Sequence, residues 1–301
     1  MNTFYGKILL FGEYSVLYGS NALAVPLRLY SGQLRFNTRH SSEAGDSNKH
    51  LYEYLAYLRR NQSKFPYLNL SAFEHDLKDG LYFESSIPRN YGVGSSGALV
   101  AAIFKRYFFS GDNMEENLII LRAMLTDLES WFHGKSSGID PLVSYLNKPV
   151  IIRNNIPEPT ELYSFGKDDF KIFLINTNQE SSTGLQIRSF QQILKNRMFN
   201  HLFLKNYIPH INTTISSLNK RQYVNFNDVI ADIVDFQYKH FRILFPSSTH
   251  KLIKQGLKEH AYYLKLCGSG GGGFLLGFTK DIEYTRKLMS AKNIELIEVE
   301  I

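Results

Sequence analysis

The sequence predicts an α+β fold. Strand-like and helix-like segments mix without the regular alternation of a doubly wound sheet. Hydrophobic residues at 44% and charged residues at 21% are an ordinary globular composition. In 301 residues, 19 Tyr and 22 Phe supply bulky side chains for one or two well-filled cores. "GKILLFGEYSVLYGSNALAVPL" reads as strand, glycine turn, short segment and second strand, with Gly6-Lys7 just ahead of the first strand. "HSSEAGDSNKH", residues 40–50, reads as a polar loop. Apolar residues at Leu118, Leu121, Met124, Leu125, Leu128 and Trp131/Phe132 recur at helical spacing, and Gly134 stops that helix. Asp140-Pro141 before "LVSYL" announces another helix, with Asp140 as N-cap and Pro141 at its first position. "PVIIRNN" and "FKIFLINT" read as strands. The polar "NIPEPTELYSFGKDD" between them predicts a domain boundary, dividing the chain into 1–165 and 166–301. Helical patterns fill most of 184–260; then come "YYLKLCG", a glycine run and "GFLLGF" as strand, loop and strand, a charged helix in "DIEYTRKLMSAKN", and a last strand in "IELIEVEI".

The formal net charge is +6, from 34 Lys and Arg against 28 Asp and Glu, and the excess is spread along the chain. No Arg/Lys block with interleaved aromatics stands out, so no nucleic-acid partner is expected; a mild basic balance also suits small anionic substrates. Apolar runs such as "ALVAAIF" are too short to span a bilayer, so no membrane partner is expected either. The start "MNTFYGKILLFGEYS" does not read as a signal peptide. The single cysteine, Cys267, excludes an internal disulfide and reads as a small buried hydrophobe. A cytoplasmic protein is the expectation.

Gly92-Val93-Gly94-Ser95-Ser96-Gly97 matches the dinucleotide fingerprint literally, but its flanks do not. "PRNY" separates it from the preceding apolar segment, and the polar "GDNMEEN" stands where a second strand should lead to an acidic residue. What fits is a glycine- and serine-rich loop feeding the helical run "ALVAAIFKRYFF", whose first-turn N–H groups and dipole suit a phosphate. Ser95 and Ser96 add hydroxyls for a phosphate oxygen or a magnesium ion; an ordinary loop with a serine N-cap remains the alternative. Gly268 to Gly273 sets four consecutive glycines between two strands, more than a hairpin needs, and close approach of backbone to a ligand explains them better. In "ESWFHGKSSGID", Glu129 near a helix end and Asp140 at the next helix start can converge on one point. Taken singly, a solvated helix face explains Glu129 better and an N-cap explains Asp140 better. His133 has no partner at metal-ligand spacing and reads as structural or supporting.

Taken together and in order, "GKILLFGEYSVLYG", "PRNYGVGSSGA", "ESWFHGKSSGID", "NQESST" and "KLCGSGGGGF" resemble the superfamily of galactokinase, homoserine kinase, mevalonate kinase and phosphomevalonate kinase (GHMP), within it most closely the mevalonate kinases. The resemblance spans nearly the whole chain. It implies a two-domain fold, the amino-terminal domain like ribosomal protein S5 domain 2 and the carboxy-terminal one ferredoxin-like. It also implies ATP and Mg2+ as cofactors. Gly92, Val93, Gly94, Ser95, Ser96 and Gly97 would wrap the triphosphate, with Gly270 and Gly271 as further nucleotide contacts. Ser96 and Glu129 would hold the metal. Asp140 would accept the proton of the substrate hydroxyl, and Lys7 would stand by the transferred phosphoryl group. Glu13, Tyr14, Thr183 and Gly271 would line the acceptor site, with mevalonate as the expected small-molecule alcohol and isoprenoid synthesis as its context. Tyr14 and Tyr18 stand where histidines are usual, and Ser181 where an arginine often helps hold a carboxylate. The acceptor therefore stays open to phosphomevalonate, a sugar or an amino-alcohol, as does a homodimer. A nucleotide-binding regulator without catalysis is the alternative of a different class.

Overall fold

The computed structural model describes residues 2–37, 42–109, 117–134, 136–162, 170–219 and 226–301. In chain order the strands are β1 (Phe4–Phe11), β2 (Ala22–Phe36), β3 (Leu81–Ser85), β4 (Val150–Arg153), β5 (Ile156–Pro159), β6 (Lys171–Asn176), β7 (Tyr263–Leu266), β8 (Phe274–Thr279) and β9 (Leu296–Val299). The α-helices are α1 (Ser42–Arg60), α2 (Leu70–Lys78), α3 (Ser95–Tyr107), α4 (Leu118–His133), α5 (Ile139–Leu146), α6 (Thr183–Leu194), α7 (Arg197–Leu202), α8 (Ile208–Asn219), α9 (Phe226–His240), α10 (His250–Glu259) and α11 (Ile282–Ser290). The chain divides into two compact units. The first comprises Met1–Lys7, Pro26–Pro88 and Gly94–Lys148; the second comprises Ile8–Val25, Arg89–Val93 and Pro149–Ile301.

In the first unit, β2 pairs antiparallel with β3, from Gly32 opposite Ser85 to Phe36 opposite Leu81. Helix α3 is buried from Gly97 through Phe104 because its small and aliphatic side chains run all the way round it, which suits a central helix. The Tyr54 hydroxyl on α1 donates to the Leu128 carbonyl on α4 at 3.0 Å. Two readings from sequence need correction here. Gly6 and Lys7 lie inside β1, because buried Phe4 starts the strand earlier. Most of the stretch read as a polar loop at 40–50 is the start of α1, whose polar first turns are carried by the buried Leu51, Tyr54, Leu55 and Leu58 further on.

In the second unit, the strand order β7-β8-β6-β9 is antiparallel throughout. With helices between β6 and β7 and between β8 and β9, this is the ferredoxin-like βαββαβ arrangement. The first residues of β2 pair with β4, and β4 with β5. Strand β5 lies within the stretch read as a polar boundary. Asn154 and Asn155, with φ of 50° and 66°, make the two-residue turn that folds it back, because asparagine tolerates the left-handed region. Phe190, Phe199, Phe203, Tyr207 and Phe241 form an aromatic core, with Phe203–Tyr207 a π-helical turn between α7 and α8. No described helix is long and apolar enough to cross a membrane. Most of "GDNMEEN", the tail of the polar boundary stretch and the His133 side chain lie outside the described residues.

Candidate active site

Four of the expected residues converge in the first unit. Lys7, from β1, places Nζ 3.2 Å from Asp140 Oδ2, with side-chain exposures of 5% and 31%. Ser96, in the first turn of α3, donates from Oγ to Glu129 Oε1 at 3.0 Å, and Ser136 donates to Glu129 Oε2. Two glycines make the convergence sterically feasible. Gly94 is the left-handed N-cap of α3, and a Cβ there would sit 2.9 Å from Lys7 Cγ. A Cβ on Gly97 would sit 2.8 Å from Asp140 Cβ, so only glycine lets α3 and α5 approach so closely. No side chain caps α3, which leaves its first-turn amides suited to an anion.

Asp140 is not the N-cap of α5. Gly138 holds that position, and Ser136 Oγ accepts from the Gly138 N–H at 2.9 Å. The serines of "KSSG" therefore take up amides at the helix entry, and the Asp140 carboxylate is turned to Lys7 instead.

Glu129 is buried, and its carboxyl is pushed up from 4.5 to about 8. Burial is the largest cause and the neighbouring Asp140 the next; the bonds from Ser136 and Ser96 and the charge of Lys7 pull the other way. A buried carboxylate beside a serine hydroxyl is a hard-oxygen donor set that fits Mg2+. That ion takes one or two protein carboxylates and fills its other positions with phosphates and water. No group of three or more His, Cys, Asp and Glu suited to a metal occurs among the described residues.

Gly94, Ser95 and Gly97 also lie in the first unit, and the other expected residues lie in the second. Glu13 is fully buried in an ion pair with Lys265 of β7. The Tyr14 hydroxyl donates to the Ser269 carbonyl at 2.5 Å. Ser181 Oγ donates to the Gly270 carbonyl, and Ser269 Oγ to Thr183 Oγ1 at 3.4 Å. Gly270, Gly271 and Gly273 all have positive φ, so the run is left-handed backbone that glycine alone adopts without strain. Gly92 and Val93 also belong to this unit; Gly92 packs against the Cys267 carbonyl and Val93 is buried.

No protein-family model matches the chain. It is 25% identical over 294 residues to the mevalonate kinase of Archaeoglobus fulgidus, covering 91% of this chain and 90% of that one. The structure of L. major mevalonate kinase in complex with R-mevalonate superposes with a TM-score of 0.68 at 15% identity, over 99% of this chain and 95% of that one. Phosphomevalonate kinase of Streptococcus pneumoniae, in complex with phosphomevalonate and AMPPNP, gives 0.68 at 14% identity, over 100% and 99%. These likenesses give the chain the fold of the GHMP small-molecule kinases, with a mevalonate kinase among its sequence relatives.

Two residues near these sites are not singled out by the sequence. Lys265 sits in the apolar run "YYLKLCG"; a cation in a strand buried on both faces needs a counter-charge, and that was the available signal. Ser136 gave no signal beyond its place in "KSSG".

The raised Glu129 carboxyl has a consequence for stability. In the unfolded chain it ionises near 4.5, whereas in the fold it keeps its proton to about 8, so stability falls as pH rises through that window. Glu129→Gln cannot titrate. In metal-free buffer its melting temperature is expected to gain on the unsubstituted protein from about pH 5 to about pH 8. A melting-temperature difference that stays constant across this range would contradict the environment assigned to Glu129.

Proposed function

We propose that this chain is an ATP- and Mg2+-dependent kinase that phosphorylates the hydroxyl of a small-molecule alcohol, with mevalonate as acceptor and 5-phosphomevalonate as product. The observation that carries the reading is the cluster of Lys7, Ser96, Glu129 and Asp140 at the start of α3. Phosphoryl transfer asks a protein mainly to position the reactants and neutralise charge. The cluster offers a cation, a partly exposed carboxylate, a helix start and a hard-oxygen donor pair.

In this reading Gly94 to Gly97 bind phosphate oxygens through the first-turn amides of α3, and Gly92, Val93, Gly270 and Gly271 add backbone contacts to the nucleotide. Ser96 and Glu129 would hold Mg2+, which when bound neutralises phosphate charge. Asp140 Oδ takes the proton of the acceptor hydroxyl as its oxygen bonds to the γ-phosphorus and the bond to ADP breaks. Lys7 offsets the charge on the transferring group. Mevalonate is preferred over the other acceptors because the relative matched over 91% of this chain is a mevalonate kinase. The test is a coupled ADP-release assay with mevalonate, phosphomevalonate, homoserine and galactose. Mevalonate is expected to give the highest kcat/KM. Another acceptor ahead by tenfold, about 1.4 kcal/mol in the transition state, would replace it. Release of ADP with none of the four would favour the regulator.

A further inference from the structure

Tyr14 stands at the centre of an uncommon turn. The Ser15 N–H donates to the Glu13 carbonyl at 2.6 Å, and Tyr14 has φ 60° and ψ −43°. These are the marks of a γ-turn with positive φ, a strained conformation that a bulky residue rarely takes. Such strain persists only where the surroundings over-determine it, and it concentrates at functional positions.

The surroundings do so here, all within the second unit. Glu13, on one side of the turn, is locked by its buried ion pair with Lys265. The Tyr14 ring stacks on Phe190, centroids 4.2 Å apart and planes 18° apart, and meets Phe241 edge-on. Its hydroxyl reaches the Ser269 carbonyl, and the next carbonyl, Gly270, is held by the Ser181 hydroxyl. Beyond these, the Gly271 N–H donates to the Leu244 carbonyl at 2.6 Å and the Gly273 N–H to the Gln179 carbonyl at 2.6 Å. The strand entering the loop is fixed as well: Gln237 Oε1 accepts from the Leu266 N–H at 3.0 Å while its Nε2 donates to the Tyr207 hydroxyl at 2.9 Å.

We propose that Tyr14 is a positioning residue for the glycine-rich loop. Its γ-turn aims the hydroxyl at the Ser269 carbonyl. Because a peptide unit is planar and trans, holding that carbonyl points the Gly270 N–H the opposite way, away from Tyr14. Four consecutive glycines have more backbone freedom than any other run, so the two hydroxyl ties from Tyr14 and Ser181 set the loop's shape before a ligand arrives. The ligand this loop serves, the nucleotide, rests on the function proposed above; the positioning itself does not. Tyr14 thus acts on the loop rather than on the acceptor, the role its place in the motif suggested.

Tyr14→Phe keeps the ring and its stack and removes only the hydroxyl; Ser181→Ala removes the neighbouring tie. Amide hydrogen exchange at Gly271 and Gly273 is measured by NMR in the unliganded protein, with KM for ATP and for the acceptor measured separately. One buried hydrogen bond corresponds to an exchange rate about fivefold faster, and that acceleration is expected in each variant. For Tyr14→Phe, KM for ATP is expected to rise about threefold to tenfold, with circular dichroism near that of the unsubstituted protein. Unchanged exchange in folded Tyr14→Phe overturns the proposal, as does a raised acceptor KM with unchanged exchange, which would make Tyr14 an acceptor contact. If the unsubstituted protein turns over no ATP, the functional reading fails on its own and the exchange comparison still decides the positioning role.

Discussion

Asp140→Asn is expected to fold normally, bind ATP and lose at least about 10²-fold in kcat. The substitution keeps the size and one hydrogen-bonding oxygen of the side chain while removing its ability to accept a proton. The structure makes this a clean test, because the entry to α5 does not depend on Asp140. Gly138 is the N-cap and Ser136 holds its amide. The stabilising contact forfeited is the 3.2 Å pair with Lys7, in which Asp140 is about a third exposed. Lys7 is buried and Asp140 only partly so, and the Asn side-chain oxygen can still accept from Lys7 Nζ, which limits the loss. Melting temperature and single-turnover kinetics on the same preparation check both halves. A normal kcat in a well-folded variant would leave Asp140 as a partner of Lys7 and nothing more.

Lys265→Met is expected to have the largest effect on stability. Both Lys265 and Glu13 have side-chain exposures of 0%. Removing one member strips a buried charge of its counter-charge, which typically costs about 3–5 kcal/mol. Replacing both by apolar residues of similar volume, in Glu13→Leu with Lys265→Met, is expected to recover most of that loss, since a well-packed apolar pair in a buried site is often as stable as the ion pair. Urea unfolding of the three variants against the unsubstituted protein measures the coupling. Additive losses in the double variant would mean that the two side chains do not act as a pair.

Where a local pattern determines local structure, the sequence was legible. The apolar spacing from Leu118 to Phe132 is helix α4, ended by Gly134 as read. The strand, glycine loop and strand at 263–279 were plain from their punctuation. The cluster of Lys7, Ser96, Glu129 and Asp140 is legible only through the resemblance, since each carboxylate alone reads as a cap or a solvated face. What stayed hidden depends on partners far along the chain. Lys265 meets Glu13 across 252 positions, and nothing near either residue announces the other. The first turns of α1 read as loop because their polar residues say nothing of Leu51 to Leu58, which bury the helix. Asp140-Pro141 carries the usual signal for an N-cap, but Gly138 in the left-handed conformation holds that position instead.

The most direct measurement follows the label from γ-³²P-ATP in a single turnover with mevalonate, with and without Mg2+. With Mg2+, label is expected to move onto mevalonate in step with ADP formation, and that transfer is expected to slow at least about 10²-fold in Asp140→Asn. Label appearing only as inorganic phosphate, or moving onto mevalonate equally well with Asn at position 140, would contradict the proposed function.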